Sequence, residues 1–346
     1  MKKAMSIGSI VLFAVFLASC APSSSIKAGS ATAESLIKLL PKTVMGVIAI
    51  DVHRGMTMAS VTKMLQDPKA KQKYDEFVKM AGIDPMNDVY FVVGGFSAAP
   101  NGAGQEGGVI VNLKYNKDNL LAVMKEKAPG FQSEAYNGVT IYSNLDGAEA
   151  KQASRAAFLD DSNIIFGSDA GVKGIIDVYQ KKAESVVKNT VMAGVLKKVD
   201  KEALACGAFI LPPDLVKKGI ASIPQLKVIE GVTAITTSFD YRLSNYIIDI
   251  RTMGGTEEQN KNLASALNGF KALGAMLAAK EPAAGDLLNA IEITSGKDFV
   301  RLYISISEEA MDKLGKLAQA KAGDFIKAKM DVPVEKKPEV IPEVIK

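Results

Sequence analysis

Between about residue 34 and residue 330 the apolar side chains recur with two alternating periods, and this alternation restricts the fold more than any single motif does. Runs with period two predict half-buried strands, and runs with apolar positions three and four apart predict amphipathic helices. In order, a strand at Val44–Asp51 is followed by a helix from about Ser60 to Ala81, closed by Gly82, and by strands at Val89–Phe96 and Gly108–Tyr115. A helix opened by Asn116 carries Leu120, Leu121 and Met124 on its apolar side. Strands at Gly138–Ser143, Ala156–Leu159 and Ile164–Gly167 come next, then a helix after Asp169 with Val172, Ile175, Ile176 and Tyr179.

The same order then returns. A strand at Ala205–Leu211, a helix at about Pro213–Ile223 and paired strands at Val232–Tyr241 and Asn245–Met253 lead to a helix starting at Thr256. Gln259 is placed to complete a capping box there, and Leu263, Leu267, Phe270 and Leu277 form the stripe. A closing pair, Leu288–Thr294 and Phe299–Ser305, flanks Ser295-Gly296-Lys297-Asp298 and precedes a helix capped by Ser307. The pattern β-α-β-β-α-β-β-α twice predicts an α+β fold: two similar, mostly antiparallel sheets with helices packed on one face, by internal duplication. The repeat domains are expected at 34–190 and 191–330. Alternation also sorts the faces: Val300, Leu302 and Ile304 oppose Arg301 and Ser305, as Val109, Val111, Leu113 and Tyr115 oppose Asn112, Lys114 and Asn116. One sheet face is therefore polar, a recognition surface or simply a wet one. With Leu40-Pro41, Phe158-Leu159-Asp160-Asp161 and Phe166-Gly167-Ser168, this organisation resembles bacterial envelope proteins built from duplicated α/β repeats, which supports the fold and lends no activity.

The N-terminus carries an address. Lys2 and Lys3 form a charged n-region and Ile7–Leu17 an apolar stretch too short to span a bilayer as an ordinary helix. The following Leu17-Ala18-Ser19-Cys20 resembles the lipobox of bacterial prolipoproteins. That resemblance implies a signal peptide at 1–19, cleavage before Cys20, lipidation of Cys20 and a membrane-anchored, extracytoplasmic protein. Ala21, standing where Asp would signal inner-membrane retention, implies the outer membrane, facing the periplasm, if the cell has two. Acyl chains contribute about 0.8 kcal/mol per buried methylene and stable anchoring takes about two of them, so a diacylglyceryl cysteine needs no transmembrane helix beside it. Residues 20–33 are expected to be the lipidated cysteine and a flexible tether, and 331–346, with Pro333, Pro338 and Pro342, a disordered Pro-rich tail that is either solvated or a docking peptide.

Composition removes several functions. Aromatic residues make up 6% with no Trp, too few for a stacking platform, and the net charge of +4 arises from 42 basic and 38 acidic residues interleaved along the chain, so no nucleic-acid partner is expected. His53 is the only histidine, which excludes a Ser-His-Asp triad and a His-rich metal site. Cys206 sits in an apolar strand and reads as a small buried hydrophobe. Gly102-Ala103-Gly104-Gln105-Glu106-Gly107 matches a dinucleotide fingerprint in letters but precedes a strand instead of a helix, and reads as a hairpin loop. Ser60-Val61-Thr62-Lys63 and Tyr142-Ser143-Asn144 echo serine-hydrolase motifs without the Lys-Thr/Ser-Gly strand, and Ser185-Val186-Val187-Lys188 repeats the first by chance. Asp160-Asp161 has turn composition, and Met45, Met56, Met58, Met64 and Met80 are expected in core positions. No catalytic, cofactor or metal-binding residue is assigned. The expected function is a noncatalytic binding or scaffolding module of the cell envelope, tethered through Cys20 and contacting an envelope protein or lipid. The alternatives are a carrier or chaperone for lipid or acyl chains, with sheet and helices parted around an apolar cavity, and an enzyme whose site is unmarked.

Overall fold

The computed structural model describes residues 26–98, 105–128, 130–143, 155–278 and 282–318. Its first half contains α1 (Ala33–Ile37), β1 (Gly46–Asp51), α2 (Val52–Met56), α3 (Ala59–Met64), α4 (Pro68–Ala81), β2 (Val89–Ala98), β3 (Gln105–Leu113), α5 (Lys117–Lys127), β4 (Gln132–Tyr136), β5 (Val139–Ser143), β6 (Arg155–Asp160), β7 (Asn163–Gly167), α6 (Asp169–Tyr179) and α7 (Thr190–Leu196). The second contains β8 (Ala205–Ile210), α8 (Pro213–Ser222), β9 (Val232–Arg242), β10 (Asn245–Gly254), α9 (Glu257–Ala278), α10 (Pro282–Asn289), β11 (Ile291–Ser295) and β12 (Phe299–Ser307), followed by α11 at 308–318.

The fold is α+β, and its strands are antiparallel to their neighbours. Where two sheets were expected, the strands join into one sheet of twelve, in the order β11-β12-β10-β9-β8-β1-β2-β3-β7-β6-β5-β4. The reason lies at the seam: the first strand of each expected repeat presents an unpaired edge, and β1 and β8 satisfy each other there, Gly46 facing Phe209 and Ile50 facing Ala205.

Helices lie on both faces. On the front face Val47, Ala49, Val93, Ile110, Ile165 and Ala208 are buried with Leu36, Ile37 and Leu40 from α1 and its C-terminal turn, Val172, Ile175 and Ile176 from α6, and Met192 and Val195 from α7. Full burial of an aliphatic side chain of this kind contributes about 1.5–3 kcal/mol. On the back face the two ends of the sheet are covered separately. Ala81 of α4, Ile83 and Leu120 of α5 pack on Leu113 and Ile164, while Leu263 and Ala264 of α9 pack on Val300 and Ile293.

Local signals explain the boundaries. Asn116 caps α5 by accepting from the Asn119 N–H, and Thr256 and Gln259 exchange bonds of 2.8 and 3.2 Å as a capping box. Gly82 closes α4 at φ 64°, in the left-handed region. The single helix expected from Ser60 to Ala81 is broken because Asp67 starts a new one, accepting from the N–H groups of Lys69 and Ala70 with Pro68 in the first turn. Phe270, expected on the buried stripe of α9, is 63% exposed, one turn beyond Leu267, which with Leu263 and Ala264 packs in the core cluster on the sheet.

Residues 26–33, expected as part of a flexible tether, belong to the fold. Ala31 and Ala33 are buried, and the Ile26 carbonyl accepts from the side-chain amides of Asn112 and Asn163, both buried, at 3.2 and 3.0 Å.

Candidate functional sites on the two sheet faces

Among the described residues, the centre of the back face forms an apolar floor that no helix covers. Cross-strand register sets Thr237, Gly207, Ile48, Gly94, Val109 and Phe166 in one row across β9, β8, β1, β2, β3 and β7. An adjoining row carries Ala205, Ile50, Val92, Val111 and Ile164. β1 is an interior strand, yet Ile48 and Ile50 are 39% and 37% exposed, and Val109 and Phe166 beside them are exposed as well. Such contiguous apolar exposure on a sheet interior is where a binding surface is sought.

Glycines shape this floor. Phe96 and Phe209 stand 5.8 Å apart between centroids, and a Cβ added at Gly46 would lie 2.1 Å from the Phe96 ring. Both rings therefore lie down over the strand backbone: a side chain at Gly207 would likewise meet the Phe209 ring, at 2.8 Å.

The residues singled out in the sequence are not brought together. Cys20, Gly102–Gly104 and Asn144 lie outside the described residues. The Lys63 ammonium is engaged by Asp312 of α11 at 2.8 Å, and Ser185 caps the short turn that holds Lys188. His53 is exposed on α2, its Nδ1 3.0 Å from the Met86 carbonyl and its ring 5.3 Å from Tyr90. Asp160 behaves as a turn residue, accepting from the Ser162 N–H, the Asn163 amide and the Tyr179 hydroxyl. Gln105–Gly107, read as loop, belong to β3. Of the methionines expected in the core, Met64 and Met80 are exposed, at 56% and 45%. Among the described residues no group of three His, Cys, Asp or Glu side chains is placed to hold a metal ion, and no helix is long and apolar enough to cross a membrane.

Cys206 is buried on the front face of β8, and burial pushes its thiol up to about 11. Only about one molecule in a thousand is then thiolate near pH 8, so alkylation of the native chain from Ala21 onward, in which Cys206 is the only thiol, is expected to be at least about a hundredfold slower than in denaturant. Equal rates in a mass-resolved iodoacetamide time course would show that the strand opens readily.

These features define an α+β protein on a single antiparallel sheet with an exposed apolar stretch at the centre of one face. No protein-family model matches the chain, and no curated protein matches it significantly. Among solved structures it is similar to TP0453. Crystal form III of that protein gives a TM-score of 0.42 at 14% identity over 80% of this chain and 95% of the other. Form I gives 0.40 at 13% over 81% and 97%. At these scores the likeness is too loose to transfer a function or a residue role.

Proposed function

We propose that this chain is an extracytoplasmic, membrane-tethered binding module of the cell envelope, anchored through lipid on Cys20, which takes an acyl-chain-bearing ligand on the back face of its sheet. The observation that supports it is the apolar floor around Ile48, Ile50, Val109 and Phe166, exposed in the middle of a sheet whose two ends are covered by helices. Acyl chains need area and no directed hydrogen bonds, which is what aliphatic and aromatic side chains among glycines supply. That both halves are copies of one repeat is part of this reading: outward from the seam the strands run 1-2-3-7-6-5-4 on one side and 8-9-10-12-11 on the other, the same order over the first five, with β5 and β4 added on the first side. The anchor would act at short range, because the five residues Ala21–Ser25 between Cys20 and Ile26 let Ile26 stray at most about 20 Å from the cysteine.

Two measurements test this separately. Cys20→Ser is expected to release the protein from the membrane fraction and remove the lipid mass; an unchanged distribution, with no lipid mass in the parent, overturns the address. For the ligand, the chain from Ala21 recovered from a bacterial envelope is compared by native mass spectrometry before and after solvent extraction. An extractable lipid bound one per chain, absent in Ile48→Asp, is expected. A clean apo mass overturns acyl-chain binding, and crosslinking for a protein partner on the same face becomes the next step.

A further inference from the structure

The front face of β10, β12 and β11 carries a different open surface. Register places Thr236, Arg251, Arg301 and Thr294 in one row across β9, β10, β12 and β11. Arg251 and Arg301 are thus directly opposed across an antiparallel pair, an arrangement that repulsion makes unfavourable. One carboxylate answers both: Asp249, 14% exposed, accepts from Nε and Nη2 of Arg251 at 3.1 and 2.8 Å and from Nε and Nη2 of Arg301 at 3.1 and 2.8 Å. Burial alone would raise the Asp249 carboxyl, but the two guanidiniums outweigh it and hold it below its ordinary value. Two cations therefore share one anion.

The donors left over are held in position. Each arginine commits Nε and one Nη to Asp249, and the Arg301 guanidinium also stacks 4.5 Å from the centroid of the Tyr303 ring. The arginine side chains are nevertheless 39% and 34% exposed. A cleft lined by Lys198, Asp200, Ser238, Asp249 and Arg251 opens beside them; of its two carboxylates, Asp249 is paired with the arginines and Asp200 is engaged by Arg242 at 3.4 Å. Glu292, exposed and in register with Tyr303, bounds the site on the β11 side.

We propose that Arg251 and Arg301, flanked by the exposed Thr294 on β11, form a binding site for a phosphate-type oxyanion, received by the guanidinium N–H groups not bonded to Asp249 and by the Thr294 hydroxyl. A forked, prepositioned pair of guanidiniums matches a tetrahedral oxyanion in a way two ammonium groups cannot. The ligand is a phosphate group, either on a soluble phosphate monoester or on a lipid headgroup.

The test titrates inorganic phosphate into the chain from Ala21, which keeps every described residue, by calorimetry at low ionic strength, where exposed charges are least screened. Saturable one-to-one binding is expected, weakened about tenfold in Arg301→Lys, which preserves the charge that pairs with Asp249 but not the fork. Thr294→Val, at the exposed end of the row and outside the Asp249 network, is expected to weaken binding several-fold with an unchanged melting temperature. Absence of saturable heat in the parent, or equal affinity in parent and both variants, overturns the site. Flotation with phosphatidylcholine vesicles doped with phosphatidic acid separates the sources. Flotation competed by phosphate assigns the ligand to a headgroup, and phosphate binding without flotation assigns it to a soluble monoester.

Discussion

Replacing Arg54 and Arg242 together by alanine is expected to destabilise the protein by about 3–5 kcal/mol, more than the two single losses added. Both guanidiniums bond the Asp240 carboxylate, which is 5% exposed, and the Tyr241 N–H is its other donor, at 2.9 Å. With one arginine removed the other still neutralises the charge. With both removed the carboxylate is left buried and unpaired, and that penalty, not the worth of either exposed ion pair, sets the size of the effect. Arg54 belongs to α2 and also bonds the Glu202 carbonyl at 2.7 Å, while Asp240 lies on β9, so the cluster ties the two halves together across the seam. Urea unfolding of the four members of the cycle checks this. Strict additivity would show that Asp240 reaches solvent once its partners are trimmed.

Gly171→Ala is expected to cost about 3 kcal/mol, at the upper end for overpacking, because a Cβ there would stand 2.0 Å from the Gly107 carbonyl oxygen and 2.8 Å from the Gly108 nitrogen. Both obstacles are backbone in β3, so no rotamer change relieves them and α6 must withdraw from the sheet. Ser168 fixes the approach: its N–H donates to the Gly107 carbonyl at 2.9 Å while its hydroxyl caps the helix through the Gly171 N–H at 3.1 Å. The same substitution at Gly194, exposed on α7 with nothing within 4 Å of a new Cβ, is expected to stabilise by about 0.5–1 kcal/mol. Opposite shifts of the urea midpoint in the two variants are the expected result. Destabilisation at both would mean that helix propensity does not govern Gly194.

Much of the secondary structure was legible because its causes are local. Asn116, Thr256 with Gln259, and Gly82 act within one helical turn, and they mark the observed ends. The strand pairs Val232–Arg242 with Asn245–Gly254 and Asn163–Gly167 with Arg155–Asp160 follow from short connections between alternating runs. β4 was missed because Gln132–Tyr136 is almost wholly exposed and has no apolar alternation to betray it. The short helices α1 and α7 escaped because each is only a turn or two long.

The candidate sites were half legible. Alternation assigned Arg301 to the face opposite Val300 and Leu302, and Val109 to the side of Val111, and the register keeps those assignments. It could not say that Arg251 stands across from Arg301, that one Asp249 serves both, or that Ile48 shares a row with Phe166 three strands away. Periodicity within a strand is set by backbone geometry, so the sequence by itself determined which residues share a face and where most elements begin and end. Which strands become neighbours depends on edges separated by more than a hundred residues, and which faces remain open depends on where helices come to rest. Only the tertiary structure decided those, by pairing β1 with β8 into one sheet and covering its two ends while leaving the middle of the back face bare.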